Sequence, residues 1–339
     1  MDVKQQEAFD LCLSGHNVFI TGQAGTGKTF LLSQIARALT STGKNVQVTS
    51  TTGIASTCFP KDLQAITVHR WSGLDDGRYA AEETSELIKT SPQFHQTLNR
   101  ICNTHVLIID EISMLSKKMF EQLEIICSSV RQSQEYFGGL QVILCGDFYQ
   151  LPPVPNREYN DHGELCFESN VFQGAVPHKV ILTKIIRQDN EDLAKVIGEV
   201  SRGHLNDFAI SYLKSLERPI DDTSSVKLFA NNLLVDTYNR SKLMESDGDI
   251  VEFKAIDHGD KRYLVNISAQ QTLWLKQGSP VILLRNISSV LVNGLTGTVK
   301  GFDPDGPVVE FPSVRITTTI KKTEFSGNVQ VNIFNILLI

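Results

Sequence analysis

The sequence predicts an α/β fold of the P-loop nucleoside-triphosphatase class, on three observations. Gly22-Gln23-Ala24-Gly25-Thr26-Gly27-Lys28-Thr29 fits the pattern G-x-x-x-x-G-K-[ST] in full. An apolar run, Asn17 to Thr21, precedes it, and an amphipathic helix over about 28–39 follows it. That helix carries Leu31, Leu32, Ile35 and Leu39 on one face, so the motif has the strand–loop–helix context its chemistry needs. A later apolar run, His105 to Asp110, ends in Asp110-Glu111, the form of a strand that delivers a metal ligand and a water-activating carboxylate to such a loop.

The loop chemistry follows from residue type. Glycines let backbone N–H groups curl around phosphate oxygens. The helix N-terminus adds positive potential at the same place. Lys28 would reach the β- and γ-phosphates of ATP, and the Thr29 hydroxyl would ligate Mg²⁺ together with Asp110.

Composition narrows the class. The chain has 339 residues, enough for two or three domains, with 41% hydrophobic and 21% charged residues as in ordinary globular proteins. No apolar run reaches the ~18–20 residues that cross a bilayer. The first strand begins near residue 17, which leaves no room for a leader in this chain. The six cysteines show no C-x-x-C pair and are expected to be buried free thiols. Net charge is −6, so any nucleic-acid contact must come from a local groove and not from the overall field.

Along the chain, residues 2–13 read as a helix carrying Gln5 and Gln6, either of which could hydrogen-bond an adenine edge. Val46 to Ser50 reads as a second strand, running into the hydroxyl-rich turn Thr51-Thr52-Gly53-Ile54-Ala55-Ser56, where open α/β sheets bind ligands. Thr67-Val68-His69-Arg70-Trp71 suits either a single-stranded nucleic acid or a packed tryptophan beside a surface histidine. Residues 75–100 are polar and read as a solvated helical or loop excursion that carries no chemistry. Ile112 to Glu124 is expected to continue into a helix with Met119, Phe120, Leu123, Ile126 and Val130 as its apolar stripe.

Leu140 to Asp147 is a fourth strand, followed by Phe148-Tyr149-Gln150-Leu151-Pro152-Pro153; the Gln150 amide can bridge a γ-phosphate and nucleic acid. Val180 to Gln188 is β-rich and ends in Arg187, whose fixed charge suits a transition-state phosphate. Two helices follow over 191–201 and 206–216, then a strand from Val226 to Ala230 and a helix from Asn231 to Met244. From about Ile250 the pattern becomes short strands, with turn signals at Asn293-Gly294 and Asp303-Pro304-Asp305-Gly306.

These motifs, in this order, resemble the petite integration frequency (PIF-one) DNA helicases of the RecD-like branch of superfamily 1. The segments that carry the resemblance are FITGQAGTGKT (19–29), VTSTTGIAS with TVHRWSG (48–56, 67–73), LIIDEISML (107–115), FGGLQVILCGDFYQLPPV (137–154), LTKIIRQ (182–188) and LVNGLTGTVKGF (291–302). The resemblance implies a RecA-like parallel-sheet core over 1–176 and the start of a second, incomplete RecA-like core over 177–249. It implies a small, SH3-like β-barrel insertion over 250–325 and an apolar tail over 326–339. The implied activity is ATP-driven 5′-to-3′ translocation on single-stranded DNA and unwinding of forks by a monomer, in DNA repair, recombination and telomere maintenance. The implied compartment is the nucleus or mitochondrion in a eukaryote and the cytoplasm otherwise.

By matching position, Gln5 resembles the adenine-sensing glutamine, with Gln6 as the alternative. Lys28 and Thr29 match the nucleotide lysine and Mg²⁺ threonine, and Asp110 and Glu111 the metal and water-activating carboxylates. Gln150 matches the γ-phosphate sensor, and Arg187 an arginine of the second core's edge that reaches the γ-phosphate. Thr52, Gly53 and His69 match DNA-contacting positions. The family pattern continues past Ile339 into a strand, a DNA-contact motif and a second arginine finger, so the tail is expected to lack sheet partners. An ATP- and DNA-binding form that cannot unwind is the alternative; a small-molecule kinase is disfavoured, because the Asp-Glu pair and Gln150 suit water and not an acceptor alcohol.

Overall fold

The computed structural model describes residues 1–74, 77–187, 190–217, 227, 229–257, 270–284, 287–288, 290–291, 294–327 and 331–335. The chain divides into two compact units, Met1–Pro219 and Ile220–Ile339.

The first unit runs α1 (Val3–Leu13), β1 (Val18–Gly22), α2 (Lys28–Ser41), β2 (Val46–Ser50), α3 (Gly53–Thr57), β3 (Ile66–Thr67), α4 (Val68–Ser72), α5 (Ala81–Thr90), α6 (His95–Asn103), β4 (Val106–Asp110), α7 (Lys117–Arg131), β5 (Gln141–Gly146), α8 (Asn170–Ala175), β6 (His178–Leu182), α9 (Glu191–Ser201) and α10 (Asp207–Leu216). Its six strands form one parallel sheet in the order β3-β2-β4-β5-β1-β6. The central strands are apolar throughout because both faces are covered. Along β4, Leu107 and Ile109 enter the core that holds Trp71, Phe120 and Phe172; Val106 and Ile108 enter the other, with Ala8, Leu31 and Ile35. Two-residue periodicity thus splits one strand between two cores.

Several expectations shift. Residues 75 and 76 lie outside the described set, but the rest of the polar stretch is not a solvated excursion. Ala81 and Ile88 of α5 and Ile101 of α6 are buried with Phe120 and Leu123 of α7, while Glu82, Glu83 and Glu86 point outward. Charge on one helical face masked an apolar stripe on the other. The helix after Glu111 does not start at once: a 3₁₀ turn, Ile112–Met114, intervenes, and Ser116 caps α7 by accepting from the Met119 N–H at 3.2 Å. The strand expected over 180–188 ends at Leu182. It pairs with β1, so Val18–Gly22 and His178–Leu182 share the sheet of the first unit, Met1–Pro219. Of the six cysteines, Cys12, Cys127, Cys145 and Cys166 are buried, and Cys58 and Cys102 are exposed.

The second unit holds α11 (Asn232–Glu245), β7 (Val251–Lys254), β8 (Ile256–Asp257), β9 (Thr272–Leu275), β10 (Pro280–Ile282), β11 (Thr296–Asp303), β12 (Gly306–Phe311), β13 (Ile316–Thr319), β14 (Thr323–Gly327) and β15 (Val331–Asn335). Its described strands form antiparallel sheets, β10-β11-β12-β13, β14-β15-β8 and β7-β9. The Asp303 carboxylate closes the expected turn by accepting from the N–H groups of Asp305 and Gly306 at 2.9 and 3.0 Å. Asn293 lies outside the described residues, as do Val226 and Leu228 of the strand expected over 226–230; Lys227, Phe229 and Ala230 are described and lie in no strand. β10 ends at Ile282 and β11 begins at Thr296. The apolar tail is not without partners: Val331–Asn335 pairs antiparallel with β14 and with β8, which satisfies backbone N–H and C=O groups in a ladder.

Candidate active site

The first unit gathers its chemistry at the C-terminal edge of the sheet. β1 lies between β5 and β6, and β5 lies between β4 and β1. The loop after β1 therefore faces the ends of β4 and β5, where open α/β sheets take ligands.

In the loop, Gly27 sits at φ +80° as the N-cap of α2, and a Cβ there would approach the Gln5 Nε2 to 3.0 Å. Gly22 is tight for another reason: a Cβ would lie 2.6 Å from the Leu182 carbonyl oxygen of β6. The loop is tied on three sides. The Thr26 hydroxyl donates to the Gln23 carbonyl at 2.9 Å. Gln5, 2% exposed, donates from Nε2 to the Thr26 carbonyl at 3.1 Å, and its Oε1 accepts from the Asp2 N–H. Gln6 lies outside on α1, donating to Asp10. The N–H groups of Ile186 and Arg187 both donate to the Gly25 carbonyl, at 2.7 and 3.1 Å. Lys28 is 9% exposed, and its ammonium donates to the carbonyls of Gly22 and Gln23 at 2.6 and 3.3 Å, which holds the charge over the loop.

Opposite the loop, the Thr29 hydroxyl donates to Asp110 Oδ2 at 3.2 Å. Asp110 is 2% exposed, and its Oδ1 accepts from the Glu111 N–H at 2.9 Å. These hard oxygen donors from two elements fit a Mg²⁺ ion whose other ligands are phosphates and water. Burial pushes the Asp110 carboxyl up; the Glu111 N–H, the Thr29 hydroxyl and the Lys28 charge oppose that rise. Glu111 sits at φ +56°, and the Thr51 hydroxyl donates to its carbonyl at 2.9 Å. Its carboxyl is also raised, by burial first, then by the Asp110 and Asp147 charges, against Lys28.

Gln150 follows β5 and is exposed; its Nε2 donates to Asp147 Oδ2 at 3.0 Å. Arg187 is exposed on the loop after β6. It falls within the first compact unit, Met1–Pro219. β2 pairs with β3 at Ser50↔Thr67, which sets the 51–57 turn beside α4. Gly53 is exposed there, and the Thr52 hydroxyl caps α3 by accepting from the Ala55 N–H at 3.2 Å. His69 is half-buried on α4, while Trp71 is fully buried, so the packed reading of the tryptophan holds. Sequence reasoning missed the clasp of 186–187 on Gly25 and the Gln5–Thr26 bond; neither backbone acceptors nor contacts spanning 21 residues leave a motif.

A family model described as PIF1-like helicase matches residues 1–213, and one described as DNA helicase Pif1, 2B domain, matches 262–302. The chain is 33% identical over 302 residues to the ATP-dependent DNA helicase PIF1 of Emericella nidulans, covering 85% of this chain and 40% of that protein. It is 33% identical over 308 residues to the ATP-dependent DNA helicase RRM3 of Saccharomyces cerevisiae, covering 88% and 42%. The crystal structure of Pif1 helicase from Candida albicans superposes with a TM-score of 0.84 at 30% identity, over 100% of this chain and 84% of that one. The chain thus spans about two fifths of the length of these two full-length relatives.

Proposed function

The chain belongs to the PIF1-like helicase family, and from that premise we propose that it is an ATP-driven translocase that moves 5′-to-3′ on single-stranded DNA and unwinds forked duplexes as a monomer. The observation that carries the reading is the Thr29 hydroxyl 3.2 Å from Asp110 Oδ2, with Glu111 next in the chain. A hydroxyl and a carboxylate suited to Mg²⁺, with a candidate base next to them, support this reading. The names of the relatives, ATP-dependent DNA helicases, support the same substrate pair.

Each residue then has a task. Loop N–H groups from Gln23 to Thr29 cradle the phosphates, and Lys28 neutralises the β/γ oxygens. Thr29 and Asp110 hold Mg²⁺, which supplies charge neutralisation at the transferring phosphate when bound. Glu111, with its carboxyl raised, orients and deprotonates the attacking water. Gln150 senses the γ-phosphate, and Arg187, tethered through its backbone to Gly25, brings a guanidinium to the same charge. Gln5 is the adenine-reading candidate, since Gln6 lies outside the site. Thr52, Gly53 and His69 line the neighbouring edge for the DNA strand.

The test is ATP turnover with and without single-stranded DNA, and unwinding of forks carrying only a 5′ or only a 3′ tail. DNA-stimulated turnover, lost in Lys28→Ala, with opening of the 5′-tailed substrate, is expected. Turnover that ignores DNA or survives Lys28→Ala overturns the site. Stimulated turnover without unwinding favours the reading of an ATP- and DNA-binding form.

A further inference from the structure

Asp147 closes β5 and is 5% exposed. Its two oxygens are used separately: Oδ1 accepts from the Tyr149 N–H at 3.1 Å, and Oδ2 accepts from Gln150 Nε2 at 3.0 Å. Its own carbonyl accepts from the Gln150 N–H at 2.9 Å. Three bonds from one residue therefore define the turn that carries Gln150. The base of that turn is equally fixed. A Cβ on Gly146 would lie 3.1 and 3.2 Å from the nitrogens of Ile112 and Ser113, so the chain just after Glu111 presses on the residue before Asp147.

The turn's tip is open by contrast. Tyr149 is 66% exposed and Gln150 is exposed. An exposed glutamine samples many rotamers, and fixing one costs side-chain entropy. A buried carboxylate that holds the amide by its NH₂ meets that cost before substrate arrives. It also fixes the flip of the amide, leaving the oxygen to accept from water and the second N–H to donate to a phosphate oxygen.

We propose that Asp147 is a positioning residue for ATP hydrolysis, which acts by holding the Gln150 amide in one orientation beside the phosphate loop. The assignment rests on the hydrolytic reading of the site given above.

Two measurements on the full chain test it. The first is ¹⁵N side-chain amide spectroscopy, with the Gln150 pair assigned by its loss in Gln150→Ala. A Gln150 pair shifted from free-amide values in the wild type, and returned to them by Asp147→Asn or Asp147→Ala, is expected. A pair at free values in the wild type overturns the assignment whether or not the chain turns over. The second is DNA-stimulated ATPase for Asp147→Asn, Asp147→Ala, Gln150→Ala and the double variant Asp147→Ala/Gln150→Ala. Expected is a fall in kcat on the order of tenfold in each single variant, with KM for ATP within about twofold, and a double variant no slower than Gln150→Ala. Multiplying losses in the double variant, or a loss confined to KM, overturns it. Asp147→Asn keeps the volume of the side chain, so it reports even where the alanine variant fails to fold. A wild-type chain without DNA-stimulated turnover overturns the functional reading, while the spectrum still decides the Asp147–Gln150 contact.

Discussion

At the residue scale, the site sets stability against chemistry. Asp110 and Glu111 are adjacent carboxylates, both raised above their ordinary range chiefly by burial. A carboxyl raised in the folded state binds its proton more tightly there than in the unfolded chain. The favourable contribution is therefore fully present below the unfolded pKa and is lost as pH rises through the folded one. At neutral pH the ionised pair costs stability. Glu111→Gln is thus expected to raise the melting temperature of the nucleotide-free chain at pH 7, and that gain should shrink as pH falls through the carboxylate range. The same variant should lower kcat by about 10²-fold or more while still binding ATP, because a general base contributes roughly that much. Calorimetry across pH and fluorescent-nucleotide binding check both halves. Lys28→Ala makes a complementary case: the loop loses the ammonium that spans Gly22 and Gln23, so ATP affinity and turnover should both fall, kcat by about 10²-fold or more.

At the element scale, the link between β4 and α7 decides how well Glu111 is held. Ser116 does two things: its hydroxyl oxygen accepts from the Met119 N–H, and its hydroxyl donates to Asp161 Oδ2 at 2.5 Å. Asp161 is 7% exposed, so Ser116→Ala removes a cap and strands one oxygen of a buried carboxylate. The cap is worth about 1 kcal/mol and the unsatisfied acceptor about 1–3 kcal/mol, so a loss of about 2–4 kcal/mol is expected in urea titration. This link was not legible in the sequence, because Ser116 and Asp161 are 45 residues apart and belong to no motif. The strands β1, β2, β4 and β5 were legible, since their apolar runs end in residues whose chemistry identifies them. The burial of α5 and α6 was not, because the acids of 82–86 dominate composition while Ala81, Ile88 and Ile101 set the packing. The end of β6 is hidden for a related reason: Thr183 to Arg187 keeps β-like composition, yet the N–H groups of Ile186 and Arg187 turn to the Gly25 carbonyl. Lys28, Thr29, Asp110 and Glu111 lie together at one sheet edge, whereas the bond from the Gln150 amide to Asp147 has no signal in the sequence.

At the scale of the whole molecule, charge and function pull in opposite directions. The chain carries a net charge of −6, yet the proposed ligand is a polyanion. Net charge therefore gives no long-range attraction, and the proposed contact is a few groups along the edge of Thr52, Gly53 and His69. Such an edge uses helix ends and hydroxyls: Thr52 caps α3, and Thr67 accepts from the Arg70 N–H to cap α4. Neutral donors bind phosphate without displacing condensed counterions, so they add affinity without adding salt dependence. Each neutralised phosphate of a single strand contributes a slope of about −0.7 in log K against log salt. About three ionic contacts give a slope near −2, an affinity loss of about 20-fold between 50 and 200 mM salt; a broad basic face with about eight would lose about 2,000-fold. The shallow dependence is expected when single-stranded DNA binding is followed by anisotropy across that range with a non-hydrolysable ATP analogue present. A steep slope would place the DNA on a basic surface elsewhere and remove the 52–69 edge as the main contact, because no redistribution of neutral donors along that edge can release the missing counterions.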